Sequence, residues 1–219
     1  QAGMRNSLAV TLRAVLYLAV PAAVGLIVLR GPLVELVFQR GAFTARSTDM
    51  VAWALALFAL GLPAHSVVEI TVRAFYAMHD TRTPVAVGIA AMVLNVGLSL
   101  ILIQIFEALS WMPLGGLALS NSLATTAEMA VLLWVIRRRL QGLEGRKMAA
   151  SLARAGFAAL MMAGVAGSVA LLLNGSGIWL QAGLAVAAGV AIYAGISLAL
   201  GSAEPRAVWT LVRYRRSGL

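Results

Sequence analysis

The chain has 219 residues, of which 61% are hydrophobic and 11% are charged, and its formal net charge is +9. Globular domains carry roughly 25% charged residues, so this composition excludes an ordinary soluble fold, which could not bury so much apolar surface. The absence of cysteine excludes disulfides and thiolate metal sites. His65 and His79 have no partner at a metal-ligand spacing, and no phosphate-binding or nucleophile motif occurs, so no enzyme activity, cofactor or metal is predicted.

Six apolar segments follow one another along the chain, each long enough to cross the roughly 30 Å of hydrocarbon in a bilayer. They cover about residues 6–29, 45–77, 84–107, 114–136, 148–173 and 178–200. A kink is expected at Pro63 in the second segment, and Pro84 opens the third segment in its first turn, where a missing N–H costs nothing. The sequence therefore predicts an all-α integral membrane protein with about six transmembrane helices.

Lysine and arginine are distributed unequally between the two ends of these segments. Only Arg30, Arg40 and Arg46 lie in the connection between the first two segments, and the other basic residues collect at the opposite ends. Because basic connections stay on the cytoplasmic side of a membrane, both termini are predicted to be cytoplasmic. This pattern accounts for the positive charge without nucleic-acid binding, which needs a basic face on a soluble module.

Three strings carry a resemblance to a known family. They are PAAVGLIVLRGPLVELVFQRGAFT at residues 21–44, RAFYAMHDTRTPV at 73–85 and GGLALSNSLATT at 115–126. In their order and spacing they resemble the MurJ/MviN family of lipid II flippases, within the multidrug/oligosaccharidyl-lipid/polysaccharide exporter superfamily. The resemblance covers about the first two-thirds of the chain, and the last two segments match mainly in position and hydropathy.

The resemblance implies a place in a larger transporter. Family members have fourteen transmembrane helices: two six-helix lobes that face a central cavity, and two further helices that form a groove toward the lipid. On that plan this chain resembles helices nine to fourteen, with residues 1–140 as part of the second lobe and residues 141–219 as the two groove helices and a basic cytoplasmic tail. The implied function is movement of a lipid-linked peptidoglycan precursor across the bacterial cytoplasmic (inner) membrane by alternating access.

The implied partners follow from the same plan. Gln1 begins the chain without a methionine or a signal peptide pattern, so we expect the amino-terminal helices of the transporter to be missing. The family's arginines that engage the pyrophosphate and sugar headgroup lie on those helices, so none is carried over. The expected partners are the missing helices, the lipid-linked precursor and membrane lipids. Two alternatives stay open: a related exporter of multidrug or polysaccharide-lipid type, and a truncated membrane fragment that transports nothing.

His65, Glu69 and Arg73 recur at four-residue intervals in the second segment and form one helical stripe. A charge at the bilayer centre costs roughly 2.5–3.5 kcal/mol, so such residues need a reason. One interpretation is a polar strip that faces the cavity or stabilises a moving helix end. The other is the cytoplasmic end of a long helix, with Arg73 reaching the headgroups.

Glu128 is the one charged residue inside the fourth segment, about two turns before a run of three arginines. Its ionised form needs a partner, water or a proton at that depth. It is either a proton- or cation-coupling group or a polar contact with another helix, with Asn95 and Asn121 as possible partners.

The turn MHDTRTP contains Asp80 and Arg82 ahead of Pro84. Asp80 and Thr83 are typical turn and cap residues, which explains their types without a substrate. The functional alternative is a cytoplasmic gate that closes when the transporter faces outward.

The last two segments each carry small residues at four-residue spacing, a pattern that allows helices to approach closely in lipid. We expect these two stripes to face each other. The resemblance further implies an apolar groove for a polyprenyl tail beside them, and ordinary hairpin packing is the alternative. The stripes are Ala155, Ala159, Ala163 and Gly167, and Gly183, Ala187, Ala191 and Gly195.

Overall fold

The computed structural model describes residues 2–38, 44–140, 142 and 145–201. These residues form eight α-helices and no strand. The helices are α1 (Ala2–Val28), α2 (Arg30–Phe38), α3 (Ala45–Ala59), α4 (Leu62–Ala77), α5 (Arg82–Ala108), α6 (Pro113–Arg139), α7 (Gly145–Leu172) and α8 (Ile178–Ala199). Within this part of the chain, five helices are long and apolar enough to cross a membrane, and the bent pair α3–α4 counts as a sixth span. The predicted all-α membrane fold is confirmed.

The connection between the first two segments contains a helix that the sequence did not predict. α2 covers nine residues, Arg30–Phe38, directly after α1. So short a stretch gives little periodicity against which a helix can be recognised. Farther along, the side chain of Thr44 caps α3 by accepting a hydrogen bond from the backbone N–H of Ser47 at 3.3 Å.

The kink expected in the second segment is present, and the two halves are bent by 46°. α3 ends at Ala59 and α4 begins at Leu62, so the break precedes Pro63. Pro63 lies in the first turn of α4, where no intrahelical bond needs its N–H. A Cβ on Gly61 would lie 2.8 Å from Ser122 Cα, so glycine at the break lets α6 approach.

The helices pack as a bundle in which α6 lies between α5 on one side and the α3–α4 pair on the other. α1 packs against α4 and α7, and α7 forms a hairpin with α8. The most buried side chains between α1, α4 and α6 are Leu12, Phe75, Leu132 and Ile136. In contrast, α5 exposes large apolar side chains such as Met92 and Val93, as expected for a surface in contact with lipid or further helices.

Candidate functional site

A hydroxyl group from α6 bonds the backbone at the break between α3 and α4. Ser122 Oγ is 2.7 Å from the carbonyl oxygen of Leu57 and 3.2 Å from that of Phe58, and it donates to these two acceptors. At the break the Gly61 N–H bonds the Phe58 carbonyl oxygen at 3.0 Å, so the Leu57 carbonyl loses its donor four residues ahead. An unpaired carbonyl in hydrocarbon costs several kcal/mol. Ser122 therefore supplies a donor where the bend needs one.

His65 lies one turn beyond the break and contacts the same helix. Its Nε2 is 3.2 Å from Nδ2 of Asn121 and 3.3 Å from Oγ1 of Thr125. Because an amide nitrogen only donates, Nε2 accepts in this arrangement and the ring proton is on Nδ1. The ring of Phe58 stacks on His65 with centroids 5.6 Å apart. These contacts form a polar patch in an otherwise apolar interface.

The rest of the predicted stripe forms a local ion pair. Arg73 donates to the Glu69 carboxylate at 2.5 Å, and both side chains are largely exposed. An exposed pair of this kind contributes little to stability. The structure therefore joins Glu69 to Arg73 as expected, while His65 bonds to α6.

A second polar cluster lies between α5 and α6. The Ser120 hydroxyl is 3.0 Å from Asn95 Oδ1 and 2.7 Å from Ser99 Oγ. Asn95 and Asn121 thus bond other residues, and the expectation that either pairs with Glu128 is wrong. Among the residues that the structure describes, the Glu128 carboxylate has no hydrogen-bond donor, and Oε1 lies 3.6 Å from where a Cβ on Gly88 would be.

The turn between α4 and α5 is tied to the end of α6. Asp80 Oδ2 accepts from the Thr83 hydroxyl at 2.6 Å and from Arg139 at 2.5 Å, and Oδ1 accepts from the Thr83 N–H at 3.0 Å. The Thr83 hydroxyl, the Thr83 N–H and the Arg139 guanidinium together lower the pKa of Asp80 from 3.8 to about 2. Arg82, the other predicted residue of this turn, is exposed at the start of α5. The cap interpretation is confirmed, and a gating role stays a prediction.

An apolar groove of 480 Å³ lies between α1, α7 and α8. Its lining is almost entirely aliphatic and includes Pro21, Gly25, Met162, Ala185 and Gly189. At one side, Tyr193 packs its ring on Tyr17 with centroids 5.1 Å apart. The Tyr193 hydroxyl donates to the Tyr17 carbonyl oxygen at 2.6 Å, so this tyrosine deep in α8 fixes α8 to α1.

The small residues of the last two helices do not all pack as the sequence predicted. On α7, Ala155 and Ala159 are buried and Ala163 and Gly167 are partly buried, but a Cβ on Gly167 would contact Val28 of α1 at 3.4 Å and not α8. On α8 the expected stripe is wrong, because Gly183, Ala187, Ala191 and Gly195 are exposed. The buried residues of α8 are Ala182, Ala185, Gly189, Tyr193 and Ser197.

The prediction of the packed face of α8 was wrong for a simple physical reason. A Cβ on Gly189 would lie 3.3 Å from Met162, whereas a Cβ on Gly183 would meet no atom within 4 Å. α8 is apolar all round, so four-residue spacing of small residues cannot select its packed face. Tyr193 was the available signal, because a buried phenol needs an acceptor and so faces protein.

The polar clusters around α6 were also missed. Serine and threonine commonly bond back to their own helix, so their presence in an apolar helix did not reveal contacts between helices. The signal that the sequence offered was Asn95 four residues before Ser99, on one face of an apolar helix. Within the described part of the chain, no group of three or more His, Asp or Glu residues is placed to bind a metal.

The chain matches a known protein family over most of its length. The sequence model of the family described as "Lipid II flippase MurJ" matches residues 1–182. The chain belongs to this family.

Curated relatives align with about half of the chain. The "Probable lipid II flippase MurJ" of Rickettsia prowazekii is 32% identical over 117 residues, 53% of this chain and 22% of the relative. That of Rhizobium meliloti is 41% identical over 87 residues, 40% of this chain and 16% of the relative. The "Lipid II flippase MurJ" of Thermosipho africanus is 32% identical over 126 residues, which are 58% of this chain and 25% of the relative. The alignments thus span a quarter or less of these relatives' length.

A solved structure shows the same fold. The structure titled "Lipid II flippase MurJ, inward closed conformation" superposes with a TM-score of 0.72 at 22% sequence identity. The match covers 89% of this chain and 38% of the solved chain.

Proposed function

We propose that this chain forms part of a lipid II flippase, which moves a lipid-linked peptidoglycan precursor across the bacterial inner membrane. The observation that carries the proposal is the family match over residues 1–182. On the family's plan the chain supplies helices nine to fourteen, with residues 1–140 in the second lobe and residues 141–219 as the added helices and tail. The basic ends of the helices face the cytoplasm in this proposal. The flippase forms or breaks no covalent bond in its substrate.

The proposal assigns the headgroup path to the polar groups near α6. A headgroup in a low-dielectric bundle needs hydrogen-bonding groups to replace lost water. His65 and Glu128 are candidates because His65 already bonds to α6 and the Glu128 carboxylate has no donor among the described residues. Glu69 and Arg73 continue this path toward the end of α4. Asp80 and Arg82 belong to the turn that closes that end when the lobes rock.

The proposal assigns the polyprenyl tail to the groove between α1, α7 and α8. A hydrocarbon tail loses nothing by leaving lipid for an aliphatic groove, and it gains close packing against fixed side chains. The groove has 480 Å³ and is lined from Leu18 on α1 to Val190 on α8. Substrate movement then needs only the headgroup to cross through polar surroundings.

Complementation tests the proposal. In a bacterial strain depleted of its flippase, we expect this chain alone not to restore growth. Co-expression with the amino-terminal portion of a relative's flippase, as a separate polypeptide, is expected to restore it. Growth with the chain alone contradicts the assignment of the missing helices. Failure of the pair to restore growth, although both parts co-purify from the membrane, contradicts the flippase function.

A further inference from the structure

A further cavity lies away from the polar path and the groove. It has a volume of 640 Å³ and lies where the α1–α2 junction, the start of α3 and the turn between α5 and α6 meet. This volume is within the roughly 300–1,000 Å³ typical of small-molecule sites. We call it the α2–α3 pocket. Its principal lining residues are Arg30, Asp49, Trp53, Ser110, Trp111 and Met112.

Two indole rings give the pocket a fixed aromatic wall. The rings of Trp53 and Trp111 meet edge to face with centroids 6.0 Å apart, and Phe106 supports Trp111 in the same way at 5.3 Å. Trp53 packs so closely on Gly115 that a Cβ there would lie 2.4 Å from Nε1. Neighbouring contacts thus hold both rings before any ligand arrives.

The turn that carries Trp111 is itself constrained. Ser110 has φ of 57°, a left-handed conformation that non-glycine residues rarely adopt. The next N–H, that of Trp111, donates to the Phe106 carbonyl oxygen at 2.7 Å. Together with the bond from the Ser110 N–H to the Glu107 carbonyl oxygen at 3.0 Å, this bond forms the Schellman cap that ends α5. Here the constraint leaves Trp111 half exposed at the edge of the pocket.

The pocket has one charge of each sign. Arg30 uses one nitrogen to donate to the Ile27 carbonyl oxygen at 2.9 Å, and its other N–H groups bond no other residue that the structure describes. The Asp49 side chain is exposed and, among the described residues, has no ion-pair partner. A carboxylate repels phosphate and pyrophosphate, so this pair does not suit an anion. Carboxylate and guanidinium groups together bind a neutral ligand with many hydroxyl groups, since one accepts and the other donates.

We propose that the α2–α3 pocket binds a neutral saccharide. The C–H faces of a sugar ring pack on an indole, and its hydroxyls bond Asp49 and Arg30. The inference rests on the proposed function, because the sugar comes from the headgroup of the lipid-linked substrate. The pocket lies at the helix ends opposite the arginine cluster of α6. It therefore receives the sugar after the headgroup has crossed.

Tryptophan fluorescence of the 219-residue chain in lipid nanodiscs tests the inference, with the β-1,4-linked disaccharide of N-acetylglucosamine as the probe. We expect saturable quenching in the millimolar range. Trp111→Leu removes the exposed aromatic wall, and Asp49→Asn keeps the shape of the exposed side chain but removes its charge. Each is expected to weaken binding by about tenfold, which corresponds to about 1.4 kcal/mol. Trp179→Phe is the control, because Trp179 is an exposed residue at the start of α8 outside the pocket.

Several results overturn the inference: no saturable quenching in the unaltered chain, an affinity in both Asp49→Asn and Trp111→Leu that equals that of the unaltered chain, or tighter binding of inorganic pyrophosphate than of the disaccharide. If Trp111→Leu fails to fold, the disaccharide affinity of Asp49→Asn alone tests the inference. If the complementation experiment restores growth but the disaccharide does not bind, the saccharide site is refuted and the flippase proposal stands. Disaccharide binding without growth refutes the flippase proposal and leaves a saccharide site.

Discussion

Tyr193 donates its hydroxyl to the one carbonyl that Pro21 leaves without an intrahelical donor, that of Tyr17. In an α-helix the carbonyl of residue 17 accepts from the N–H of residue 21, and proline has none. Tyr193 is only 7% exposed, so the bond lies inside the bundle. A phenol on α8 thus completes the backbone hydrogen bonding of α1.

We expect Tyr193→Phe to lower the free energy of unfolding by about 1–3 kcal/mol, because it leaves that carbonyl unpaired in an apolar interior. In a Pro21→Ala background the loss is expected to be smaller, since residue 21 then supplies an N–H. Reversible unfolding in detergent, arranged as a double-mutant cycle, measures the difference. Tyr76→Phe is the control, because Tyr76 is exposed on α4. Equal losses in both backgrounds would contradict the role given to Pro21.

The groove predicts opposite behaviour for two glycines of α8. Gly189→Leu places its side chain in the groove against Met162 and Ala166, whereas Gly183→Leu points into open space. We expect the first change to weaken binding of a polyprenyl phosphate by about tenfold, or about 1.4 kcal/mol, and the second to have little effect. Binding to the chain in nanodiscs is the measurement.

Ala22→Leu is a second test of the groove, because Ala22 is exposed and lines the groove without separating α7 from α8. This variant distinguishes two causes of weaker binding: a leucine that fills the groove, and a leucine that forces α7 and α8 apart. If Gly183→Leu and Gly189→Leu weaken binding equally, or Ala22→Leu leaves it unchanged, the tail does not occupy this groove.

The Asp80 cluster predicts a pH dependence at the α4–α5 turn. The pKa of Asp80 in the folded chain is about 2, below its ordinary 3.8. The depressed pKa means that the stabilisation is complete above the unfolded-state pKa and is lost as the pH falls from about 4 through about 2. Thr83→Val removes the hydroxyl, which is the largest cause of the shift, so we expect the pKa of Asp80 to rise toward 3.8.

Carbon-13 NMR of aspartate-labelled chain measures this pKa directly, because Asp49 and Asp80 are the two aspartates of the sequence. Asp49 serves as the internal reference. Thr81→Val is the matched control, since the side chain of Thr81 makes no capping bond at the start of α5. A pKa that stays near 2 in Thr83→Val would assign the shift to the backbone N–H of residue 83 and to Arg139 instead.

The orientation predicts which turns are accessible from outside the cell. With the basic ends cytoplasmic, the turn between α7 and α8 faces outward and the start of α7 faces the cytoplasm. We expect Ser176→Cys, but not Gly145→Cys, to react with a membrane-impermeant thiol reagent in intact spheroplasts. The chain contains no other cysteine to confuse the result. Labelling at Gly145→Cys alone would show that the orientation is the opposite of the predicted one.

The sequence predicted the spans because hydropathy and charge act over whole helices, and twenty residues average out local exceptions. It also predicted the bend near Pro63 and the cap at Asp80, where local chemistry decides the geometry. It did not predict which face of α8 packs, because an apolar helix in lipid gains nothing from turning one apolar face inward rather than another. That choice came from one phenol, Tyr193, whose acceptor lies 176 positions away in the chain.

The hydroxyls of Ser120 and Ser122 also determine how α6 can move. Ser122 bonds the backbone at the α3–α4 break, and two residues earlier Ser120 bonds Asn95 on α5. Successive alternate residues of a helix point in widely different directions, so these bonds hold α6 from different sides. Turning α6 about its axis breaks both bonds in an environment that offers no water as a substitute. We therefore expect helices α3, α5 and α6 to move together as one rigid unit.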